Sequence, residues 1–193
     1  MTPTITGADQ SFAASREIVG AEISRLLDGL DAVEWDAAAQ LISNARAVFV
    51  IGNGRSGLAS QMAAMRLMHL GLRVHVAGEV TAPAVGEGDV VIGVSGSGTT
   101  ATVVAAAETA HKVGALVIAV TTAPESPLAK RAARVLLVPA AVKQDHSNSI
   151  TEQYAGSLFE QTVLLAFDAL FHSLWRSRAQ SPESLWARHA NIG

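Results

Sequence analysis

Between residues 47 and 138, short apolar runs alternate with segments of helical period, and this alternation constrains the fold more than any other feature. Ala47-Val48-Phe49-Val50-Ile51, Val90-Val91-Ile92-Gly93-Val94 and Leu116-Val117-Ile118-Ala119-Val120 contain no polar residue. A strand with one wet face alternates apolar and polar, whereas a run apolar throughout belongs to a strand covered on both faces. Arg73 to Ala77 and Val135 to Val138 bring the strands to five. Between them lie helical patterns over Leu58 to Leu70 and Ala101 to Val113, and a shorter one over Pro127 to Ala133. Strands alternating with helices predict an α/β domain with a parallel sheet and right-handed crossovers.

The flanks are helical. Ser11 to Leu30 places Val19, Ile23, Leu26 and Leu30 on one stripe, and Trp35 to Asn44 forms a second helix. This N-terminal arm precedes the first strand, so it is either a lid on one end of the sheet or a surface for another subunit. Pro139 to Glu152 is a long irregular stretch, expected to be an active-site lid. Ser157 to Arg176 is apolar around most of its circumference, which predicts burial on several sides and a subunit interface. Ser181-Pro182-Glu183 opens a last short helix.

With 193 residues, 49% of them hydrophobic, the chain has material for one domain. Its parts are an arm (1–45), the sheet with its crossover helices (46–138), and a lid loop with C-terminal helices (139–193). A net charge of −3 gives no nucleic-acid footprint, and the absence of cysteine excludes disulfides and thiolate chemistry. No apolar run is long enough for a membrane span, and Met1 to Gln10 lacks the form of a signal peptide, so the expected location is the cytoplasm.

Two strands run into glycine-rich turns, Gly52-Asn53-Gly54-Arg55-Ser56-Gly57 and Ser95-Gly96-Ser97-Gly98-Thr99-Thr100. Glycines let the backbone approach a ligand, hydroxyls offer neutral hydrogen bonds, and the following helix presents free N–H groups and partial positive charge. That is a phosphate cradle, although a tight turn with a capped helix would read the same way. There is no Walker lysine and no acidic ribose partner, so neither a nucleoside triphosphate nor a dinucleotide is expected. Ligands of open parallel sheets bind outside the strands' carboxyl ends, where the strand order reverses. Ser95, Ser97 and Thr100, with backbone N–H groups from Gly96 through Gly98 to Thr99, are the expected phosphate ligands. Gly54, Arg55 and Ser56 approach from the other turn.

The pairing of IGNGRSG with VSGSGTT resembles the sugar isomerase (SIS) domain. AMRLMHLG (Ala64 to Gly71), GEVTAP (Gly78 to Pro83) and GSLFEQ (Gly156 to Gln161) further resemble the 6-phospho-3-hexuloisomerase family, with RHANI (Arg188 to Ile192) as a last echo. Thr99, where the family often carries a charge, and residues 151–155 depart from its pattern. The resemblance implies a three-layer, flavodoxin-like αβα sandwich and a homotetramer. It also implies interconversion of D-arabino-hex-3-ulose 6-phosphate and fructose 6-phosphate in the formaldehyde-fixing ribulose monophosphate pathway, with no metal or organic cofactor. Relatives acting on arabinose or heptose phosphates, and SIS modules that sense a sugar phosphate without turnover, are the alternatives. The chain has no clustered histidine pair of the kind that holds zinc.

Moving a carbonyl from carbon 3 to carbon 2 needs a base at carbon 2 and an acid that shuttles protons between the oxygens. The resemblance supplies Glu160 as the base. The residues alone also read Ser157-x-x-Glu160 as a capping box. His69, on the first crossover helix, is either a buried structural residue or a proton-transfer group. His189, near the end of the chain, is either a solvent-facing residue or a group entering the site of a neighbouring subunit. Arg55 faces the sugar phosphate or pairs with an acid such as Glu79, and Asp168 reads as an interface hydrogen-bonder. His146, in the expected lid, has no assigned role.

Overall fold

The computed structural model describes residues 11–141, 150–154 and 156–192. Expectations for Met1 to Gln10, His146 and most of the lid loop lie outside those residues. Five strands form one parallel sheet: β1 (Val48–Gly52), β2 (Val74–Val76), β3 (Val90–Val94), β4 (Leu116–Thr121) and β5 (Arg134–Leu137), in the order β2-β1-β3-β4-β5. The three wholly apolar runs occupy the centre, where both faces are covered. Gly52 pairs with Val94, and Val94 with Val120, so the central strands end at one level. The strand order reverses between β1 and β3, and both glycine turns leave the sheet at that switch point.

The helices are α1 (Phe12–Asp28), α2 (Ala32–Asn44), α3 (Gly54–His69), α4 (Ala101–Lys112), α5 (Ser157–Ser177) and α6 (Pro182–Trp186). Alternate strand residues feed two cores. Val48, Val50, Ile92 and Ile118 meet Leu67, Phe159, Val163 and Phe167 on one face. Phe49, Val91, Val117 and Ala119 meet Val103, Ala107 and Leu128 on the other. This is the αβα sandwich expected from the sequence.

The flanks differ from expectation in instructive ways. The arm packs within its own chain, α1 on α5 and α2 on α5 and β5, which buries Leu26, Ala38 and Ile42. Helix α5 lies between α3 and the arm, and packing within the protomer covers much of its apolar surface. Helix α3 also exposes an apolar face, through Leu58, Met62 and Met65. Helix α2 begins three residues early because Asp31 Oδ1 accepts from the N–H groups of Val33 and Glu34. The first glycine turn is itself the first turn of α3, with Asn53 at the N-cap. The short helix expected over 127–133 is a single 3-10 turn, Ala129–Arg131.

Candidate active site

The end of β4 fixes the turn after β3. Ser95 N donates to the Val120 carbonyl at 3.0 Å. The Thr121 and Thr122 hydroxyls and the Thr122 N–H all donate to the Gly96 carbonyl at 2.9 Å. Gly98 has φ +63°, and a Cβ there would lie 2.0 Å from Ser126 Oγ, so this position needs glycine. The turn thereby lays its backbone across the start of α4. Its hydroxyls pair with each other, Ser95 with Thr100 at 2.8 Å and Ser97 with Thr99 at 2.9 Å. Hydroxyls rotate freely, so these can turn to an anion.

The turn after β1 is equally tight, since a Cβ on Gly57 would lie 2.6 Å from the Gly52 carbonyl oxygen. Thr102 Oγ1 donates to Asn53 Oδ1 at 3.2 Å and ties the two turns together.

The third wall is the start of α5. Gly156, not Ser157, is its N-cap, and Ser157 and Glu160 turn towards Arg55 rather than forming the expected capping box. Arg55 Nη1 donates to Ser157 Oγ at 3.0 Å, and Arg55 Nε lies 3.2 Å from Glu160 Oε2. Ser56 Oγ donates a long 3.5 Å contact to Glu160 Oε1. Arg55 therefore pairs with Glu160 instead of Glu79. The Glu160 side chain is almost wholly buried, whereas that of Arg55 is more than half exposed.

The starts of three helices enclose a cavity of about 100 Å³ walled by Asn53, Ser56, Ser95, Ser97, Gly156 and Phe159. Its walls are largely hydroxyls, a side-chain amide and backbone, a lining that suits a polar group. The helix N-termini favour an anion there.

His69 and His189 meet each other but not the cradle. His69 ends α3, about 22 Å from Gly54 along the axis at 1.5 Å per residue. Its ring is buried and stacks on His189 at 3.9 Å, and the Trp186 ring lies 4.7 Å from that of His189. Arg188 Nη1 donates to the His69 carbonyl at 3.1 Å. Asp168 pairs with Arg66 at 3.7 Å within the chain, a contact that needs no partner subunit.

Burial, with His189 and Arg66 nearby, holds the His69 imidazole below its ordinary pKa. The folded state thus keeps His69 neutral where the unfolded chain, near 6.5, takes up a proton. This stability is present above that value and is lost as pH falls through the folded pKa. The melting temperature is expected to fall between about pH 7 and pH 5.5, before most carboxylates titrate. His69→Gln should flatten the slope, and a flat wild-type profile over that window would contradict the assignment.

Among the described residues there is no group of three or more His, Asp or Glu placed to hold a metal ion. No helix among them is long and apolar enough to cross a membrane.

Comparison with known proteins places this architecture. Residues 41–170 match the SIS domain model. The chain belongs to the SIS domain family. A 3-hexulose-6-phosphate isomerase of Mycobacterium gastri is 55% identical to this SIS protein, over 80% of the chain and 77% of the relative. One from Bacillus subtilis is 39% identical, over 82% and 86% respectively. A crystal structure of a Methanococcus jannaschii protein, described as inferring the function of 3-hexulose-6-phosphate isomerase, superposes with a TM-score of 0.81 at 26% identity. It covers 93% of this chain and 99% of that one.

Sequence reasoning missed several contributors to the SIS cradle. Asn53 and Gly156 lie inside motifs already singled out, and their place in the cavity wall was within reach. Thr121 and Thr122 carried a fainter signal, two hydroxyls directly after an apolar strand. Phe159, whose ring a Cβ on Gly96 would meet at 3.5 Å, has the pattern of any core aromatic.

Proposed function

We propose that this SIS protein interconverts D-arabino-hex-3-ulose 6-phosphate and fructose 6-phosphate, the isomerase step of the ribulose monophosphate pathway. The observation that carries this reading is a buried carboxylate, Glu160, held beside Arg55 and contacted by Ser56, whose neighbours across the cavity are Ser95 and Ser97. The phosphate sits in the turn from Ser95 to Thr100, with Gly54, Arg55 and Ser56 opposite. Glu160 takes the carbon 2 proton, an enediol forms, and the proton returns to carbon 3. Arg55 orients the carboxylate and faces the sugar oxygens. The electron pair stays within the substrate, so the reaction asks for no external oxidant.

A second group must move protons between the two oxygens. Within one protomer His69 and His189 lie too far from the cradle, so in this proposal they act on a neighbouring subunit's site, His189 as the acid and His69 stacked beneath it. The whole chain then works as one SIS domain, assembled as a homotetramer in the cytoplasm, and the exposed α3 face offers apolar surface for that assembly. Co-expression of Glu160→Gln and His189→Ala chains tests this, because mixed oligomers regain activity that neither variant shows alone. No recovery in a confirmed mixed oligomer would sink the arrangement between subunits.

The reaction itself is tested by supplying enzymatically made 3-hexulose 6-phosphate, with and without a chelator, and following fructose 6-phosphate. Turnover unchanged by chelation is expected. Tight binding without turnover would instead mark a sugar-phosphate sensor.

A further inference from the structure

Away from the cradle, the arm carries a carboxylate that its own helix does not use. Glu22, on α1, is buried, and both its oxygens point at the segment leading into α5. Oε2 accepts from Thr151 Oγ1 at 2.6 Å and from Gln153 Nε2 at 2.9 Å, and Oε1 accepts from Glu152 N at 2.8 Å. Gln153 N in turn donates to Thr151 Oγ1 at 3.0 Å. One helical turn on, Arg25 Nη2 donates to the Ile150 carbonyl at 2.8 Å. Burial alone would push the Glu22 carboxyl up, but donors from Thr151, Glu152 and Gln153, with Arg25 nearby, hold it below its ordinary value. It is therefore an ionised acceptor at neutral pH.

An apolar side chain would cover this site more cheaply, whereas a buried carboxylate with three donors admits one arrangement of them. That arrangement lies directly before the catalytic wall. Tyr154 O accepts from Ser157 N at 3.2 Å, and Gly156 O accepts from Glu160 N at 3.1 Å. The segment clamped by Glu22 thus runs into the N-cap that lines the cavity and the turn that carries Glu160.

We propose that Glu22 is a positioning residue for the isomerase site, fixing residues 151–153 and through them the start of α5, so that Glu160 stays in register with a substrate held by the opposite turn. The proposal rests on the isomerase reading for its kinetic consequence but not for its structural one.

The test uses the full-length protein with Glu22→Ala, Glu22→Gln and Thr151→Val. Misplacing a catalytic group by about an ångström is expensive, so Glu22→Ala and Thr151→Val should each lower kcat about tenfold or more. KM should stay within about twofold, because the phosphate turn is untouched. Backbone amides of residues 156–160 should exchange with solvent about tenfold faster, and those of α4 at the wild-type rate. Glu22→Gln should recover most of the loss. Its oxygen can face Glu152 N–H, and its amide can meet the Thr151 hydroxyl and a flipped Gln153. A purely structural role predicts a lower melting temperature with kcat of the folded enzyme unchanged. That result, or unchanged exchange across 156–160, overturns the proposal. If Glu22→Ala does not fold, Thr151→Val carries the same readouts. If the wild-type protein does not isomerise 3-hexulose 6-phosphate, the isomerase reading fails and the exchange pattern alone decides this proposal.

Discussion

Glu160→Gln should lower kcat by about a hundred- to ten-thousandfold, the usual contribution of a general base. The fold should barely register the change. Glutamine has the same shape, and its oxygen can still accept from Arg55 Nε while its amide faces the Ser56 hydroxyl. Gly156 caps α5, so no capping contact of a Ser157–Glu160 box is at stake. The lost ion pair is half open to solvent on its Arg55 side, and such pairs contribute about 1 kcal/mol or less. Lost turnover with near-normal melting is therefore expected. A variant retaining more than about a tenth of wild-type turnover would show that Glu160 is not the base, because the loss would fall short of general-base catalysis.

Gly98→Ala should damage the other half of the site as severely, by a different route. The new Cβ would lie 2.0 Å from Ser126 Oγ and 2.3 Å from Ser126 Cβ, with Thr121 Oγ1 at 3.1 Å. Ser126 is buried, and its hydroxyl accepts from Ala129 N at 3.3 Å, so it cannot simply swing away. The left-handed φ adds strain of about 1–2 kcal/mol for any residue with a Cβ. Overpacking adds about 1–3 kcal/mol more. The turn relieves this by moving away from Ser126, which carries Ser97 and the backbone N–H groups out of place. The melting temperature should fall, and KM for the sugar phosphate should rise about tenfold or more, in line with the loss of a binding contact. Ser126→Gly in the same chain removes the worst overlap and should recover part of both losses. A Gly98→Ala protein with wild-type KM would show that the phosphate does not bind in this turn.

The strand–helix alternation was legible because each apolar run lies where the sheet has both faces covered. The order of the strands was not written in the runs, yet the glycine turns marked the two strand ends that flank the reversal. An apolar stripe shows burial and not by what: helix α5 read as a subunit interface and the arm as a lid or a surface for another subunit, and within the chain the two cover part of their stripes against each other. The Ser157–Glu160 spacing fitted a cap, but a cap forms only if its hydroxyl lies at the N-cap, and Gly156 takes that place. Glu22 gave no signal at all. A glutamate in an amphipathic helix reads as solvated, and only the fold brings Thr151 and Gln153 to it.

The most direct measurement is the fate of solvent deuterium when the enzyme equilibrates fructose 6-phosphate in heavy water. Proton transfer through a 2,3-enediol places deuterium at carbon 3 and leaves both carbon 1 hydrogens in place, and the Glu160→Gln enzyme should leave carbon 3 unlabelled. Deuterium at carbon 1 would show a 1,2-enediol and a different sugar isomerase. No deuterium at either carbon, together with no 3-hexulose 6-phosphate formed from fructose 6-phosphate, would contradict an isomerase acting on this substrate.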